Sequence, residues 1–294
     1  MQVVKYVFQP HGDERGQLVV FEEHRDIPFH IKRVYFMYET AEEIVRGKYA
    51  HKKLEQILVC IHGSCKIKLD NGREKKVVPL EKPYEGLYVT SGMWCEMFDF
   101  SPGAVLMCFA SEFYDENDYI RDYEEFLNFV NNKKEVNYAP VSHKKIISQD
   151  FVEKISEYKE IYLFNSSGDV DGKLISFEER KDIPFSIKRV FFMYDTLNGK
   201  IVRGKHAHRD IEQILVCIHG SCKIRFDDGH EKKVYTLDKP SEGLYMPKHL
   251  WGEQFDFSND AVLLVFASDH YDESDYIRDY DEFLKFVREK ENEN

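Results

Sequence analysis

The chain has 294 residues, enough for two domains that each bury a core, and 32% of its residues are charged. Its 41 Lys and Arg against 53 Asp and Glu give a net charge of −12, which argues against nucleic acid or an anionic membrane as partner, since both call for a basic face. A local arginine cluster holding a small anionic ligand is compatible with that balance.

From the N-terminus, Met1 to Gly16 lacks the basic and then apolar regions of a signal peptide, so none is expected. Apolar runs such as Ala261 to Ala267 fall far short of the roughly 20 residues of a membrane span. Cys60 and Cys65 are matched by Cys217 and Cys222, while Cys95 and Cys108 occur only in the first half. The spacing fits no structural zinc pattern, and most of these cysteines lie in or beside apolar strands. Reduced, buried thiols and a cytoplasmic location are expected.

An internal repeat organises the rest. Phe21 to Thr40 reads FEEHRDIPFHIKRVYFMYET and Phe177 to Thr196 reads FEERKDIPFSIKRVFFMYDT, with five differences. The offset, 177 − 21 = 156, becomes 208 − 51 = 157 after one extra residue in the Leu197-Asn198-Gly199 turn. The expected organisation is a tandem duplication: a first domain over 1–135, a linker over 136–160 and a second domain over 161–294.

Within each half, short runs rich in Val, Ile, Phe and Tyr alternate with turn signals. These include His62-Gly63-Ser64 and Asn71-Gly72, then His219-Gly220-Ser221 and Asp228-Gly229. Asn-Gly and Asp-Gly favour tight hairpins because both central residues adopt φ > 0. Many short strands at this spacing predict an all-β sandwich or barrel. After Asp118 the apolar positions Tyr119, Ile120, Tyr123, Phe126, Leu127 and Val130 recur at steps of three and four, predicting a short terminal helix capped by Asp115 or Asp118.

The chemistry concentrates in Arg203-Gly204-Lys205-His206-Ala207-His208, followed by Glu212 and an apolar strand. Side chains two apart on a strand share a face, so His206 and His208 form an imidazole pair able to bind a metal or move protons. The first half carries the same stretch as Arg46-Gly47-Lys48-Tyr49-Ala50-His51. The G-x-H-x-H pattern with an acid four residues later resembles the first motif of the cupin superfamily, which implies a jelly-roll barrel for each half. Metal-binding cupins add a histidine from a later strand, where this chain has Cys95 and Gly252. His249 is displaced from that position by three residues. Proton transfer by the imidazoles themselves, without a metal, is the stronger expectation.

A closer resemblance rests on Ile27-Pro28-Phe29-x-Ile31-Lys32-Arg33-Val34, Arg46-Gly47-x-x-Ala50-His51-Lys52, Leu54-Glu55-Gln56 and Tyr114-Asp115-Glu116-x-Asp118-Tyr119-Ile120-Arg121. These strings resemble the sugar 3,4-ketoisomerases, and the likeness covers each half almost end to end. It implies an isomerase without cofactor that converts a dTDP-linked 4-keto-6-deoxyhexose to the 3-keto sugar. His206, His208, His51 and Tyr49 are then the candidates for proton transfer. Arg15, Arg33, Arg46, Arg189, Arg203, Tyr35 and Tyr194 are the candidates for holding substrate and its diphosphate. The family's Asp-x-Arg-Gly is present as Asp13-Glu14-Arg15-Gly16 but becomes Asp169-Val170-Asp171-Gly172 in the second half. Members of the family resemble one another in exchanging N-terminal strands within dimers, so the repeats are expected to pack as an intramolecular pseudo-dimer. A sugar-nucleotide 3,5-epimerase, a non-catalytic sugar-nucleotide-binding cupin and a metal-dependent cupin oxygenase are the competing readings. The motif Glu-x-Asp-Tyr-Ile-Arg-Asp-Tyr is expected to tie the terminal helix to the barrel, and Trp94 and Trp251 to lie in the core.

Overall fold

In the computed structural model the described residues are 1, 3–13, 16–132, 160–169, 171–196 and 201–293. The first repeat opens with β1 (Val4–Val7), β2 (His11–Asp13), β3 (Gly16–Glu22), β4 (Arg33–Tyr38), β5 (Arg46–His51) and β6 (Gln56–His62). It continues through β7 (Cys65–Asp70), β8 (Lys75–Leu80), β9 (Glu85–Val89), β10 (Trp94–Phe98), β11 (Val105–Ala110), β12 (Tyr119–Ile120) and α1 (Tyr123–Asn132). The second repeat follows the same order with β13 (Ile161–Leu163), β14 (Ser166–Asp169), β15 (Gly172–Glu178), β16 (Arg189–Tyr194), β17 (Arg203–His208) and β18 (Gln213–His219). Its remaining elements are β19 (Cys222–Asp227), β20 (Lys232–Leu237), β21 (Glu242–Met246), β22 (Trp251–Phe255), β23 (Val262–Ala267), β24 (Tyr276–Ile277) and α2 (Tyr280–Glu293). The all-β, jelly-roll expectation holds, with a short helix closing each repeat.

Each repeat pairs a seven-stranded sheet with a five-stranded one, and the larger sheets are built from both repeats. Their orders are β1-β9-β6-β11-β4-β15-β14 and β13-β21-β18-β23-β16-β3-β2. Thus β15 hydrogen-bonds to β4 with Leu174 opposite Met37, and β3 hydrogen-bonds to β16 with Leu18 opposite Met193. The N-terminal hairpin of each half completes the sheet of the other.

The exchange explains why β4 and β16 are apolar along both faces. On β16, Met193 and Phe191 point into one barrel with Leu215, Ile224 and Leu263. Val190 and Phe192 face the other way, into a core shared by the repeats. There Phe21 of the first repeat lies 4.7 Å from Phe109 and 5.9 Å from Phe192 between ring centroids. Its counterpart Phe177 lies 4.8 Å from Phe266 and 5.8 Å from Phe36. The same alternation corrects one expectation: Tyr194 follows the parity of Phe192, packs on the shared core, and sits 5.3 Å from the Phe192 ring. It is on the wrong face of β16 to meet the histidine pair.

The predicted helix start also moves. Tyr119 and Ile120 form β12, paired with His51 and Ala50 of β5, and the helix begins at Tyr123. Asp115 caps the preceding 3-10 turn and Asp122 accepts from the Glu125 amide at 2.8 Å, which frees Asp118 for another role. Trp94 and Trp251 are buried against the terminal helices, beside Phe126 and Phe283. All six cysteines are buried and unbridged. Residues 133–159, which hold most of the expected linker, lie outside the described residues. Among the described residues no helix is long and apolar enough to cross a membrane.

Candidate active site

The histidine strand β17 is bent by a bulge. Register with β22 shifts between Gly204 and His206, and Gly204 and Lys205 have φ of 76° and 54°. A Cβ on Gly204 would stand 2.8 Å from the Gly252 carbonyl oxygen, so glycine is required both for its backbone and for this close approach. Beyond the bulge His206 faces Gly252, the position where a metal-binding cupin would present its further histidine. Met246 fills the space beside it, with its terminal carbon 2.8 Å from where a Gly252 Cβ would be.

His206 and His208 have ring centroids 4.9 Å apart, nearly perpendicular. Tyr276 packs on both, at 4.8 Å and 4.5 Å, and the Arg278 guanidinium covers the Tyr276 ring at 4.4 Å. His208 is fully buried, with Nδ1 2.6 Å from Asp275 Oδ2 and Nε2 3.0 Å from the Gln213 side-chain amide nitrogen. A neutral imidazole satisfies both contacts by donating from Nδ1 to the carboxylate and accepting at Nε2. His206 differs, because its buried Nδ1 has no hydrogen-bond partner. Burial, with the adjacent His208 second, pushes the His206 pKa down to about 3. Burial also lowers His208 despite the opposing pull of Asp275. The pair is therefore neutral at pH 7.

Arg189, at 2% exposure, lies above the pair. Its Nη2 donates to the Tyr276 hydroxyl at 3.4 Å, its Nε has no partner, and its cation faces the Phe191 and Tyr271 rings at 5.6 and 5.7 Å. A buried guanidinium among aromatic rings, with an unmatched donor, is suited to an anionic oxygen. The first repeat contributes to this rim: Glu22 Oε1 accepts from the Tyr271 amide at 2.5 Å, and a Cβ on Gly16 would stand 2.9 Å from Arg203 Nη1. Arg203 thus lies against the exchanged strand. Arg15 lies outside the described residues.

The first repeat builds the same frame with different contents. His51 Nδ1 meets Asp118 Oδ2 at 2.9 Å, while its buried Nε2 has no partner. Burial lowers its pKa to about 4. Tyr49 stands 5.1 Å from His51 between centroids, and burial, followed by the neighbouring Tyr119, holds its phenol pKa well above the ordinary value. Tyr35 donates to Gln56 Oε1 at 2.9 Å, and the Cys108 thiol reaches the same oxygen at 3.1 Å. In the second repeat the corresponding residues are Phe191 and Val265, and neither can bond to Gln213. That leaves the Gln213 amide to engage His208. Arg33 is buried over the Tyr35 ring at 5.3 Å, with Nε and Nη2 unpartnered. Arg46 is half-buried at the start of β5, opposite Met97, at the far end of the strand from His51.

The Glu-x-Asp-Tyr-Ile-Arg motif, expected to tie the terminal helix to the barrel, does more than that. Asp118 and Asp275 bond the histidines, while Tyr119 and Tyr276 pack on them. An acid next to an aromatic in both repeats was the available signal, but nothing local shows that this turn returns to β5 or β17. Glu212, the acid four residues after the pair, points elsewhere and accepts from the Tyr245 hydroxyl.

Residues 1–131 and 156–288 each match the family described as WxcM-like, C-terminal (FdtA). The chain is 52% identical over 119 residues to the TDP-4-oxo-6-deoxy-alpha-D-glucose-3,4-oxoisomerase of Aneurinibacillus thermoaerophilus, an overlap of 40% of this chain and 85% of that protein. Among solved structures it is similar to a 3,4-ketoisomerase from Helicobacter canadensis, at 47% identity and TM-score 0.44, over 45% of this chain and 99% of the other. It is also similar to the sugar 3,4-ketoisomerase QdtA from Thermoanaerobacterium thermosaccharolyticum in complex with TDP, at 44% identity and TM-score 0.43, over 44% and 94%. The buried histidine frame and two matched segments lead to one statement: this chain belongs to the WxcM-like, C-terminal (FdtA) family and carries its domain twice.

Proposed function

We propose that this chain is a sugar-nucleotide 3,4-ketoisomerase that converts a dTDP-linked 4-keto-6-deoxyhexose to its 3-keto isomer, with the second repeat as the working centre. The observation that carries this reading is the neutral, buried pair His206 and His208 beneath Arg189, in a chain 52% identical to an oxoisomerase over one repeat. The repeats act as an intramolecular pseudo-dimer in which each exchanged hairpin closes the other repeat's site. Six buried, unbridged cysteines are in keeping with work in the cytoplasm.

The reaction moves one proton from C3 to C4 and one from the C3 hydroxyl to the C4 oxygen, with no net oxidation. The neutral His206 ring is the base that takes the C3 proton and returns it, after exchange with solvent, at C4. A substrate hydroxyl that displaces the Gln213 amide meets His208 Nε2 as an acceptor, and Asp275 supports the charge that forms on that ring. Arg189 donates to the enediolate oxygen or to the diphosphate. Proton transfer here runs without a metal, because the position facing His206 is Gly252 rather than a further ligand. In the first repeat Tyr49 stays a phenol and serves to hold substrate or nucleotide, with Arg33 and Tyr35 beside it.

The test is incubation with dTDP-4-keto-6-deoxy-glucose in D2O, followed by NMR. Deuterium at C4 beside a new C3 ketone is expected. Deuterium at C5 means an epimerase, and no exchange means a binding module. An unchanged rate after chelator treatment is expected if the imidazoles act alone.

The same geometry sets the pH behaviour. With His206 held neutral down to about pH 3, kcat/KM is expected to show no acid limb near the ordinary histidine value and to stay flat between about pH 5 and 8. Stability behaves differently. The unfolded histidine takes up its proton near pH 6.5 whereas the folded one resists until about 3, so unfolding is favoured progressively as pH falls through that window. A pH series of thermal melts alongside the kinetic profile checks both.

A further inference from the structure

A second group of histidines lies on the pseudo-two-fold between the repeats, apart from the catalytic strands. The bridge between Ile31 and Ile187 crosses this axis, and two glutamates flank it. Each is anchored by the opposite repeat: the Glu23 amide donates to the Lys188 carbonyl at 3.1 Å, and the Glu179 amide to the Lys32 carbonyl at 3.0 Å. Between them stands His30, with Nδ1 against Glu23 Oε2 and Nε2 2.7 Å from Glu179 Oε1. His24 stacks near it, at 6.4 Å between ring centroids.

Glu23, His24 and His30 each offer a ligand atom within 4.8 Å of the others. Glu179, at 7% exposure, is a separate pointer, because its Oε2 is buried with no hydrogen-bond partner. Lys188 occupies Glu23 Oε1 at 2.5 Å and leaves Oε2 as the donor. The second repeat does not repeat the arrangement: its counterparts of His24 and His30 are Arg180 and Ser186, which bond to each other at 2.9 Å. Both histidines are therefore peculiar to one side of the axis, and they converge on one carboxylate.

We propose that Glu23, His24 and His30 form a binding site for one divalent cation of the zinc class, with Glu179 of the other repeat orienting His30 from behind. Two imidazoles and a carboxylate are a usual zinc donor set, with the fourth position left to water. Glu179 accepting from His30 Nε2–H is the carboxylate–histidine–metal arrangement that fixes the tautomer and raises ligand basicity. The ion takes the place of the proton at His30 Nδ1, which goes to solvent. Bonds of about 2.0–2.1 Å in tetrahedral geometry place the Glu23 and His30 ligand atoms roughly 3.3 Å apart. The His30 side chain, 32% exposed, has room for that opening. Because the ligands and their supporting acid come from different repeats, the bound ion fastens one half to the other.

The probe is Zn2+ alone, titrated into metal-stripped full-length chain against a chromophoric zinc indicator. One equivalent is expected to bind the unmodified chain. H24R/H30S, which installs the second repeat's residues, is expected to lose that equivalent while keeping its turnover. Glu179→Gln, which leaves all three ligands in place, is expected to weaken binding by about 10–100-fold. No binding by the unmodified chain, or a full equivalent retained by H24R/H30S, overturns the proposal. Retention by His206→Asn/His208→Asn of the one bound equivalent is expected, and its loss there would assign the ion to the catalytic pair and also overturn it.

Discussion

His206→Asn is expected to lower kcat by about 10²–10⁴-fold, whereas His51→Asn leaves most of the turnover. Asparagine keeps the polarity and much of the size of histidine but cannot take a proton, so the loss reports chemistry rather than folding. The asymmetry follows from what each repeat can do with two protons. In the second repeat two neutral imidazoles stand 4.9 Å apart under a buried guanidinium. In the first, one imidazole faces a phenol whose pKa burial has raised far out of range for a base. Steady-state kinetics of the two variants, with thermal melts as a folding control, decides the matter. An equal loss from His51→Asn would move the chemistry to the first repeat, where His51 also presents a buried, unpartnered nitrogen.

The second large effect is on stability. Phe21→Ala is expected to cost about 3–5 kcal/mol, more than truncation of an ordinary surface residue by an order of magnitude. Phe21 is fully buried, stands on the exchanged strand β3, and lies between Phe109 of its own repeat and Phe192 of the other. Its removal opens a cavity in the one core that the repeats share, and β3 is hydrogen-bonded into a sheet whose position constrains collapse. Denaturant unfolding measures the loss. A change below about 1 kcal/mol would mean that the shared core does not carry the association of the repeats.

Several features were legible in the residues because they are local or periodic. The duplication, the strand-rich character, the tight turns and the imidazole pair on one strand face all follow from spacing along the chain. Gly204 was visible as part of a pattern, yet its physical need, a close approach to the Gly252 carbonyl, came only with the neighbouring strand. Tyr194 shows the opposite case. Its spacing suited a substrate contact, but strand parity turns it toward the shared core because β16 is buried on both faces. The helix prediction overran at Tyr119 and Ile120 because apolar steps of three and four fit a helix as well as a two-residue strand followed by one.

By itself, the sequence determined that there are two copies of one strand-rich domain and that only the second keeps both histidines. Self-similarity along the chain and residue identity suffice for that. Tertiary structure alone decided how both ring nitrogens of His208 are engaged. Asp275 returns to His208 from 67 residues away, and Phe191 and Val265 leave the Gln213 amide for it where Tyr35 and Cys108 engage Gln56. Proton affinity inside a barrel depends on burial and on partners brought by other strands, and neither is encoded in the spacing of two histidines.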